Sequence, residues 1–576
     1  MDNTADVHIA GTKYEEISLL HPPGVDPKYQ MLPEETAHDL SLEQTCAELT
    51  KMEPERNLIR RTMMRISGDP QVIKYRCDIF EDILRYPALR EELHALLDRV
   101  DFLRTYGSFT KESDASGIWE LIHRLDEMKE YIECVEGIYR CLNEKEIHSE
   151  GLTALKEYVK ALYEDNGFEA LKQDIAQLKV GASEIKSVTL GVNLNDRFEP
   201  NGIGIVSINS RYFTKSGILA NFCDFLNRQD ELSPDITWKK KYTFRTGAGE
   251  AGSPALEQAA DAMMRGRAGM AGIVTPPPDS RSDDVMHSLD RAATAMLSAT
   301  VRKLKQILSR HVSVSTQVIA ARIPELVYYI RWAEYVEKLR SAGYAMCKPE
   351  AESAKKRMMK AGGLYNLKLT KHAPSEIVAN NLVFDRKHRI YILTGANRGG
   401  KTTITQAVGI AFLLAQGGIY VPAESFVFSP ASNIFTHFPA DENKTMDLGR
   451  LGEESKRFRD IFLAADQAAL FLLNESFSTT SFEEGFFIAY DAVRALRDLG
   501  ARTNYNTHMH KLARKLDELN AEGDGDSLAA SLVAETEAGQ RSYRVRVAVP
   551  HGLSYARDIA EKYGVTYEQL SAGRKK

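Results

Sequence analysis

The segment ILTGANRGGKTT, residues 392–403, constrains the fold of this chain more than any other feature. A short apolar run that ends at Leu393 precedes the loop and predicts a strand, and an amphipathic run after it predicts a helix. Between them, Gly395 to Thr402 matches the pattern G-x-x-x-x-G-K-[ST]. In such a loop, backbone N–H groups and the positive end of the following helix converge on phosphate oxygens. The sequence therefore predicts an α/β domain with a phosphate-binding loop.

Two side chains of the loop have specific predicted roles. We expect Lys401 to reach the β- and γ-phosphates and the Thr402 hydroxyl to ligate magnesium, so ATP and Mg²⁺ are the predicted cofactors. A chance glycine-rich turn is the alternative, and the lysine, threonine and flanking elements argue against it. The predicted nucleotide-binding residues of the loop are Gly395, Ala396, Asn397, Arg398, Gly399, Gly400, Lys401, Thr402 and Thr403.

A second apolar strand, in AALFLLNESF at 468–477, ends in Asn474 and Glu475 and resembles a Walker B element. Glu475 is predicted to be catalytic, because a carboxylate there can orient or deprotonate the attacking water. Asn474 stands where an aspartate is usual, so it brings no charge, and we expect it to accept from a metal-bound water. A buried strand that merely ends in polar residues is the alternative.

A third strand, in RTNYNTH, ends at His508. A histidine there can hydrogen-bond the γ-phosphate or the attacking water, and His508 is the second predicted catalytic residue. A lone histidine at a strand end is more often structural. The neighbouring His510 is the candidate for that structural role.

Composition limits the class of protein. A chain of 576 residues exceeds what one hydrophobic core supports, so several structural units are expected. The net charge of -6 gives no overall attraction to nucleic acid, so DNA contacts need a local basic patch. The six cysteines form no C-x-x-C pair, which argues against zinc and disulfide frameworks. The sequence shows neither a leader segment nor a long apolar run. We therefore expect a cytoplasmic protein that makes no membrane contact.

The pattern along the chain predicts a multidomain protein. Residues 1–35 are predicted to be an irregular lead-in and 36–186 to be helical. Residues 187–285 contain β-branched runs and a Gly/Ala/Pro-rich stretch, which predict strands and a flexible loop. Helices are predicted again over 286–360, and alternating strands and helices over 361–576.

Several motifs together resemble those of the MutS family of DNA mismatch-repair ATPases. In order they are ILTGANRGGKTT, ITQAVGIAFLLAQGGIYVPAES, IFTHFPADE, FLLNESFSTTSFEEG and NYNTH, and AQGGIYVPAES is the most specific. DPQVIKYRCDIFEDILRYPALREEL resembles the helical core of the family, and GYAMCKPEA ends the segment that resembles its returning lever. The resemblance covers about residues 36–565. It implies a mainly α-helical core and lever region with a small α/β insertion, then an α/β P-loop ABC-type ATPase domain with a C-terminal helical element.

The resemblance also implies a homodimer whose closure depends on ATP, with each nucleotide site completed by the partner. The candidate partner-facing segment is 447–454, although a plain helix N-terminus is an equal alternative. Its trans-site candidates are Gly449, Arg450, Gly452 and Glu453. Ile377, Val378 and Asn380 occupy positions where the family packs the adenine ring.

The departures from the family bear on DNA. Mismatch-reading members open with a Phe-x-Glu wedge domain, and this sequence opens without one, so we expect no mismatch recognition by wedge insertion. A nuclease-like tail after residue 565 is not expected either. The one basic, aromatic-interleaved patch gives the DNA-backbone candidates Lys239, Lys240, Lys241 and Arg245, with a solvated strand edge as the alternative.

Two functions therefore remain open from the sequence. In the first, an ATP-driven dimeric clamp binds duplex or branched DNA by shape and charge, in repair or recombination. In the second, the same ATPase switch controls assembly with another protein and DNA is irrelevant. The acidic balance favours the second, and the lysine cluster with the lever arrangement favours the first.

Overall fold

The computed structural model describes residues 8–9, 12–13, 17–100, 118–178, 187–194, 197, 200–209, 298–311, 314, 316–395, 399–439, 449–478, 481–523, 525–537, 540–548, 561 and 563–573. By its internal contacts the chain divides into two compact units. The first unit comprises Met1–Thr105, Glu136–Ala161 and Ala321–Lys576, and the second comprises Tyr106–Val135 and Leu162–Ala320.

Among the described residues, helices dominate before residue 345 and strands alternate with helices after it, which confirms the prediction of a helical part followed by an α/β part. The helices are α1 (Glu34–Asp39), α2 (Leu42–Leu49), α3 (Glu53–Met64), α4 (Pro70–Arg85), α5 (Pro87–Arg99), α6 (Ile118–Asn143), α7 (Glu150–Tyr163), α8 (Asn166–Gln177), α9 (Ser298–Leu308), α10 (Gln317–Ser341), α11 (Lys401–Gln416), α12 (Gly449–Ala464), α13 (Phe482–Leu499), α14 (His510–Arg514), α15 (Leu516–Ala521) and α16 (Tyr567–Gly573).

The strands are β1 (His8–Ile9), β2 (Thr12–Lys13), β3 (Gln30–Met31), β4 (Arg65–Ile66), β5 (Ser187–Leu194), β6 (Pro200–Asn209), β7 (Glu350–Ala351), β8 (Met359–Leu364), β9 (Asn380–Phe384), β10 (His388–Thr394), β11 (Ser425–Phe428), β12 (Ile434–His437), β13 (Leu470–Asn474), β14 (Arg502–Asn506), β15 (Leu528–Glu537) and β16 (Gln540–Val547). Single 3₁₀ turns occur at Ser309–His311, Ala354–Lys356, Leu367–Lys371 and Pro374–Glu376.

The main sheet of the first unit has the strand order β12-β13-β14-β10-β15-β16. Its strands are parallel except β16, which pairs antiparallel with β15. β13 (LFLLN) is buried along its whole length, as expected for a strand of a parallel sheet covered on both faces. The carboxyl ends of β13, β14 and β10 lie side by side at one edge. The turns after these three strands are therefore brought together there.

A second sheet, with the order β7-β11-β8-β9, packs against α11. Phe412 of α11 meets Phe426 and Phe428 of β11 with ring centroids 5.9 and 5.4 Å away. On α11, Thr405 accepts a hydrogen bond at 2.9 Å from Asn504 of β14. Contacts with both sheets explain why α11 is buried over most of its surface, and they fix the direction in which its N-terminus points.

The segment before α1 has little regular structure, but side chains of the helical part hold it firmly. The buried Arg76 of α4 donates from Nε to the Leu20 carbonyl at 2.7 Å and from Nη2 to the Tyr29 hydroxyl at 2.8 Å. The Leu19 N–H donates to a Glu325 carboxylate oxygen at 2.7 Å. Ile17, Ser18 and Leu19 are therefore buried in the first unit, and hydrogen bonds hold the less buried residues 20–29 against it.

The second unit has its own polar and aromatic contacts. The buried Glu127 accepts from Arg124 at 2.7 Å and from the Thr316 hydroxyl, and Asp174 lies 2.9 Å from His311. β5 and β6 pair as an antiparallel hairpin within the predicted 187–285 insertion. The predicted strand around Lys239–Lys241 and the loop 246–284 lie outside the described residues.

Among the helices that the structure describes, none combines the length and the apolar character that a membrane crossing requires.

Candidate nucleotide site

A cavity of about 710 Å³ opens at the carboxyl edge of the main sheet. It lies between the N-terminus of α11, the turns after β13 and β14, and the segment between β8 and β9. Its lining residues are Leu364, Tyr365, Asn366, Leu369, His372, Glu376, Val378, Asn380, Gly399, Gly400, Lys401, Thr402, Thr403, Ile404, Glu475, His508 and Tyr543. The cavity thus brings predicted residues from three strand ends to one place.

The phosphate loop begins at Gly395, whose φ of +145° favours glycine. A Cβ at Gly395 would lie 2.8 Å from the Ala534 side chain, so space also requires glycine there. Lys401 is buried at the start of α11, and its Nζ donates to the Gly395 carbonyl at 3.0 Å. Burial lowers the pKa of Lys401, and the charge of Glu475 opposes that shift. The predicted residues Ala396, Asn397 and Arg398 lie outside the described residues.

Thr402 is joined to two asparagines at the ends of neighbouring strands. Its hydroxyl donates to Asn474 Oδ1 at 2.9 Å. The same Asn474 oxygen accepts from Asn506 Nδ2, which also lies 3.3 Å from the Thr402 hydroxyl. The pairing of Asn474 with Asn506 in the β13–β14 register produces this arrangement. The Thr402 hydroxyl, which is predicted to ligate magnesium, is therefore in contact with two uncharged amides.

Asn506 was not predicted as a site residue. Its Oδ1 is buried and has no hydrogen-bond partner among the described residues, so an acceptor remains available beside Thr402. One feature of the sequence could have identified Asn506: it is a polar residue in a predicted strand, next to residues that are expected to be buried.

The two predicted catalytic residues contact each other. His508 Nε2 lies 2.9 Å from Glu475 Oε1, and the His508 backbone N–H donates to Glu475 Oε2 at 3.3 Å. Glu475 has a left-handed backbone with φ of +52°, and its N–H donates to the Asn506 carbonyl at 2.8 Å. A strained backbone at this turn directs the carboxylate toward the turn after β14.

A buried polar network connects this turn to α12. Glu454 Oε2 accepts from the Phe477 N–H at 3.0 Å. His437 Nε2 lies 3.0 Å from the Glu454 carbonyl, and its Nδ1 lies 2.7 Å from the Ser476 hydroxyl. Burial, assisted by the nearby Arg457, lowers the pKa of His437 to about 3, so the ring is neutral. The Ser476 hydroxyl donates to the His437 backbone carbonyl at 3.0 Å.

Val378, Asn380 and Tyr543 also line the cavity. Asn380 fixes β16, because it donates to the Tyr543 carbonyl at 3.1 Å and accepts from the Val545 N–H at 2.8 Å. Ile377 is not part of the lining. Tyr543, which is 48 % exposed, was missed in the sequence, where it is an ordinary aromatic residue of a strand.

The other predicted residues are placed as follows. Gly449 is the first residue of α12, and Arg450, Gly452 and Glu453 follow in its first turns. The trans-site candidates thus lie at a helix N-terminus. His510 begins α14, and burial lowers its pKa, with nearby positive charges acting in the same direction. The DNA-backbone candidates Lys239, Lys240, Lys241 and Arg245 lie outside the described residues.

Residues 391–565 match the family model described as MutS domain V, and residues 68–342 match that described as MutS2 N-terminal domain. The chain belongs to the MutS family. The MutS domain V match begins in β10 and includes the strand ends that carry Lys401, Glu475 and His508. The helical and α/β parts of the chain thus both match the MutS family.

Individual relatives agree with this assignment. A DNA mismatch repair protein MutS of Chlorobium phaeobacteroides is 30% identical over 255 residues, which cover 44% of this chain and 28% of the relative. An endonuclease MutS2 of Thermus thermophilus is 29% identical over 195 residues, which cover 34% of this chain and 25% of the relative. The matched part thus spans about a quarter of the length of these relatives.

Proposed function

We propose that this MutS-family chain is an ATPase that works as an ATP-dependent dimeric clamp on duplex or branched DNA, in repair or recombination. The observation that carries the proposal is the meeting of Lys401, Glu475 and His508 around one cavity at the carboxyl edge of the parallel sheet. Binding would depend on the shape and charge of DNA rather than on reading a mismatch.

ATP would bind with its phosphates at the loop and its base toward Val378, Asn380 and Tyr543. Lys401 is buried close to the Gly395 carbonyl, and exchange of that contact for a phosphate oxygen would stabilise its charge. The N-terminus of α11 adds its dipole to the same phosphates. The half-exposed Tyr543 ring offers a flat surface for the base.

Hydrolysis would use the contact between Glu475 and His508. Glu475 accepts the proton of a water whose oxygen attacks the γ-phosphorus, and the bond to the β–γ bridging oxygen breaks. His508 holds the Glu475 carboxylate at 2.9 Å and so keeps this base in place. ADP and phosphate are the products.

Magnesium would be held by the hydroxyl of Thr402, with the Asn474 and Asn506 amide oxygens reaching its bound waters. Magnesium prefers oxygen ligands, so this donor set fits the ion. The unpartnered Asn506 Oδ1 is an additional acceptor in the same place. When bound, the ion neutralises phosphate charge. Because Asn474 and Asn506 are uncharged, the nucleotide itself must supply the compensating negative charge, and we expect slow turnover.

Dimer formation would complete each site from the partner. The first turn of α12, with Gly449, Arg450, Gly452 and Glu453, is the proposed contributor, since its free N–H groups can face a phosphate across the interface. The proposed DNA contacts are Lys239 to Lys241 and Arg245, and they rest on the sequence of that segment.

The deciding experiment measures fluorescence anisotropy of labelled single-stranded, duplex, mismatched and branched DNA with the purified full chain. Each DNA is titrated with ATP, ADP or no nucleotide, at several salt concentrations. We expect nucleotide-dependent binding to duplex or branched DNA, with no preference for a mismatch. Neutralising Lys239, Lys240 and Lys241 to glutamine should flatten the salt slope by about one unit for each lysine that binds a phosphate.

The net charge of -6 favours the second candidate, an ATP-driven switch that controls assembly with another protein. Absence of binding to every DNA at low salt would reject the clamp and support this switch. Absence of ATP binding would reject both functions.

A further inference from the structure

Two arginine side chains converge on Gly500, at the turn that leads into β14. Gly500 has φ of +72°, and a Cβ at this position would lie 2.9 Å from Nη1 of both Arg357 and Arg389. The two Nη1 atoms are therefore no farther apart than about twice that distance. Any side chain at this position would clash with both guanidinium groups, so only glycine lets the two arginines approach the turn this closely.

Arg389 reaches this position from an irregularity in the main sheet. The register between β10 and β15 shifts between His388 and Ile390, the residues on either side of Arg389. Such a shift turns a side chain away from the direction that regular alternation would give it. Arg357 approaches from the end of the 3₁₀ turn Ala354–Lys356, where its own φ of +48° is left-handed.

Neither guanidinium group is paired with a carboxylate of the described residues. Arg389 is only 5% exposed, and its Nε is buried without a hydrogen-bond partner among the described residues. Arg357 Nη1 makes two long contacts, to the Gln467 amide oxygen at 3.2 Å and the Gly500 carbonyl at 3.3 Å. In the described part of the chain, no carboxylate oxygen lies within 4.0 Å of a nitrogen of either group, the distance that defines an ion pair.

The acidic residues nearby do not cancel this charge. Asp385, four positions before Arg389, pairs instead with His388 at 3.0 Å. Burial and the charge of Arg357 lower the pKa of Arg389, and the charge of Asp526 opposes that shift without reversing it. The local charge therefore remains positive.

A third arginine adds to that charge. Arg502, at the start of β14, is fully buried, and burial together with Arg357 and Arg389 lowers its pKa to about 9. Both Nη atoms of Arg502 donate to backbone carbonyls, those of Met358, Ser429, Pro430 and Ala468, and its buried Nε has no hydrogen-bond partner among the described residues. It therefore has little capacity to bind a ligand, but it contributes to the field that an anion near Gly500 would experience.

We propose that Arg357 and Arg389 form a binding site for one phosphate group beside Gly500, on a part of the MutS-family domain separate from the nucleotide cavity. Leaving two close cations unpaired at a buried position is costly, and a dianion removes that cost. A tetrahedral phosphate offers several acceptor oxygens, so it can accept from two guanidinium forks at once. Because Arg389 is almost completely buried, the ligand is free phosphate or a terminal phosphate monoester.

The test is calorimetric titration of the full chain with inorganic phosphate at constant ionic strength in chloride. All proteins carry Lys401→Ala, so that the phosphate loop does not contribute. Arg357→Gln and Arg389→Met should each weaken phosphate binding at least about tenfold. Arg459→Gln is the matched control, because it removes the same charge from an exposed residue of α12, and it should bind as the parent does.

A parallel titration with adenosine monophosphate distinguishes the source of the phosphate. Binding of adenosine monophosphate that is lost in Arg357→Gln assigns the site to monoesters, and binding of inorganic phosphate alone assigns it to the free ion. Arg357 is only half-buried, so Arg357→Gln keeps the test valid even where Arg389→Met fails to fold. Equal phosphate affinities for Arg357→Gln and Arg459→Gln, or no binding by the parent at about 10 mM phosphate, would overturn the proposal.

Discussion

Glu454 of α12 accepts a hydrogen bond at 3.0 Å from the backbone N–H of Phe477, two residues after Glu475. Phe477 has a left-handed backbone with φ of +63°, as Glu475 does at +52°. A buried carboxylate on α12 thus holds the turn that carries the proposed catalytic glutamate. Because α12 also begins with the proposed partner-facing segment, a shift of this helix would be transmitted directly to Glu475.

We therefore expect Glu454→Ala to reduce kcat about tenfold and to leave the KM for ATP nearly unchanged. One charge-assisted hydrogen bond contributes about 1.5–3 kcal/mol. Without it the turn would hold Glu475 less precisely, and part of that free energy would be lost from the stabilisation of the transition state. Steady-state ATPase kinetics measure the two constants separately. Glu454→Gln is the control, because its amide oxygen can still accept from Phe477. A Glu454→Gln variant as slow as Glu454→Ala would refute this positioning role.

Glu475 and Lys401 should fail in different ways. Glu475→Ala removes the proton acceptor but leaves the phosphate contacts, so it should bind ATP and accumulate as an ATP-bound dimer. Lys401→Ala removes the buried cation at the phosphates and should lose ATP binding. Nucleotide titration and sedimentation with ATP test both expectations. Wild-type ATP affinity in Lys401→Ala would contradict the site assignment, whereas an exposed-lysine control, Lys387→Ala, should bind normally.

Asn474→Asp should raise turnover when magnesium is present and weaken ATP binding when magnesium is absent. Its carboxylate could still accept from Thr402 and Asn506, and it adds a negative charge close to the phosphates. With magnesium we expect turnover to rise about tenfold, because the charge favours the ion. In EDTA the same charge repels ATP, so the variant should bind ATP more weakly than wild type. Identical magnesium titrations for the two proteins would show that the amide does not limit turnover.

His437 should make the stability of the first unit dependent on pH. Its pKa in the folded state is about 3, below its ordinary value of 6.5, so the unfolded chain takes up the proton first as pH falls. The stabilisation is fully present above pH 6.5 and is lost progressively toward pH 3, at about 1.4 kcal/mol per pH unit. Chemical denaturation at pH 7.5 and 5.5 should therefore show a smaller loss for His437→Gln than for wild type. Equal losses would contradict the assigned neutral ring.

The parts of the site that local sequence encodes were predictable. The phosphate loop is a contiguous strand, loop and helix, so its residues and their order can be read directly along the chain. Glu475 and His508 could also be predicted from the sequence, because each follows an apolar run that predicts a buried strand. The ends of parallel strands share one edge of the sheet, so these two residues were expected to lie close together. The helical character of the N-terminal part and the α/β character of the C-terminal part were predicted from hydrophobic periodicity, which is also a local property of the sequence.

The residues that were missed depend on which strands become neighbours. Asn506 reaches Thr402 only because β14 lies between β13 and β10. Glu454 reaches Phe477 because α12 packs beside the turn after β13, and Tyr543 reaches the cavity because β16 returns antiparallel at the sheet edge. Sheet order is set by long-range packing, which no local pattern encodes.

The sequence by itself therefore determined that this chain has a phosphate loop on an α/β domain, which residues stand at its strand ends, and which family it resembles. Tertiary structure alone decided that Asn506 joins Asn474 beside Thr402, that α12 holds the Glu475 turn, and that Arg357 and Arg389 meet at Gly500. The physical reason is the range of the interactions. Backbone geometry and burial patterns act over a few residues, whereas charges and hydrogen bonds between distant segments exist only after the sheet has assembled.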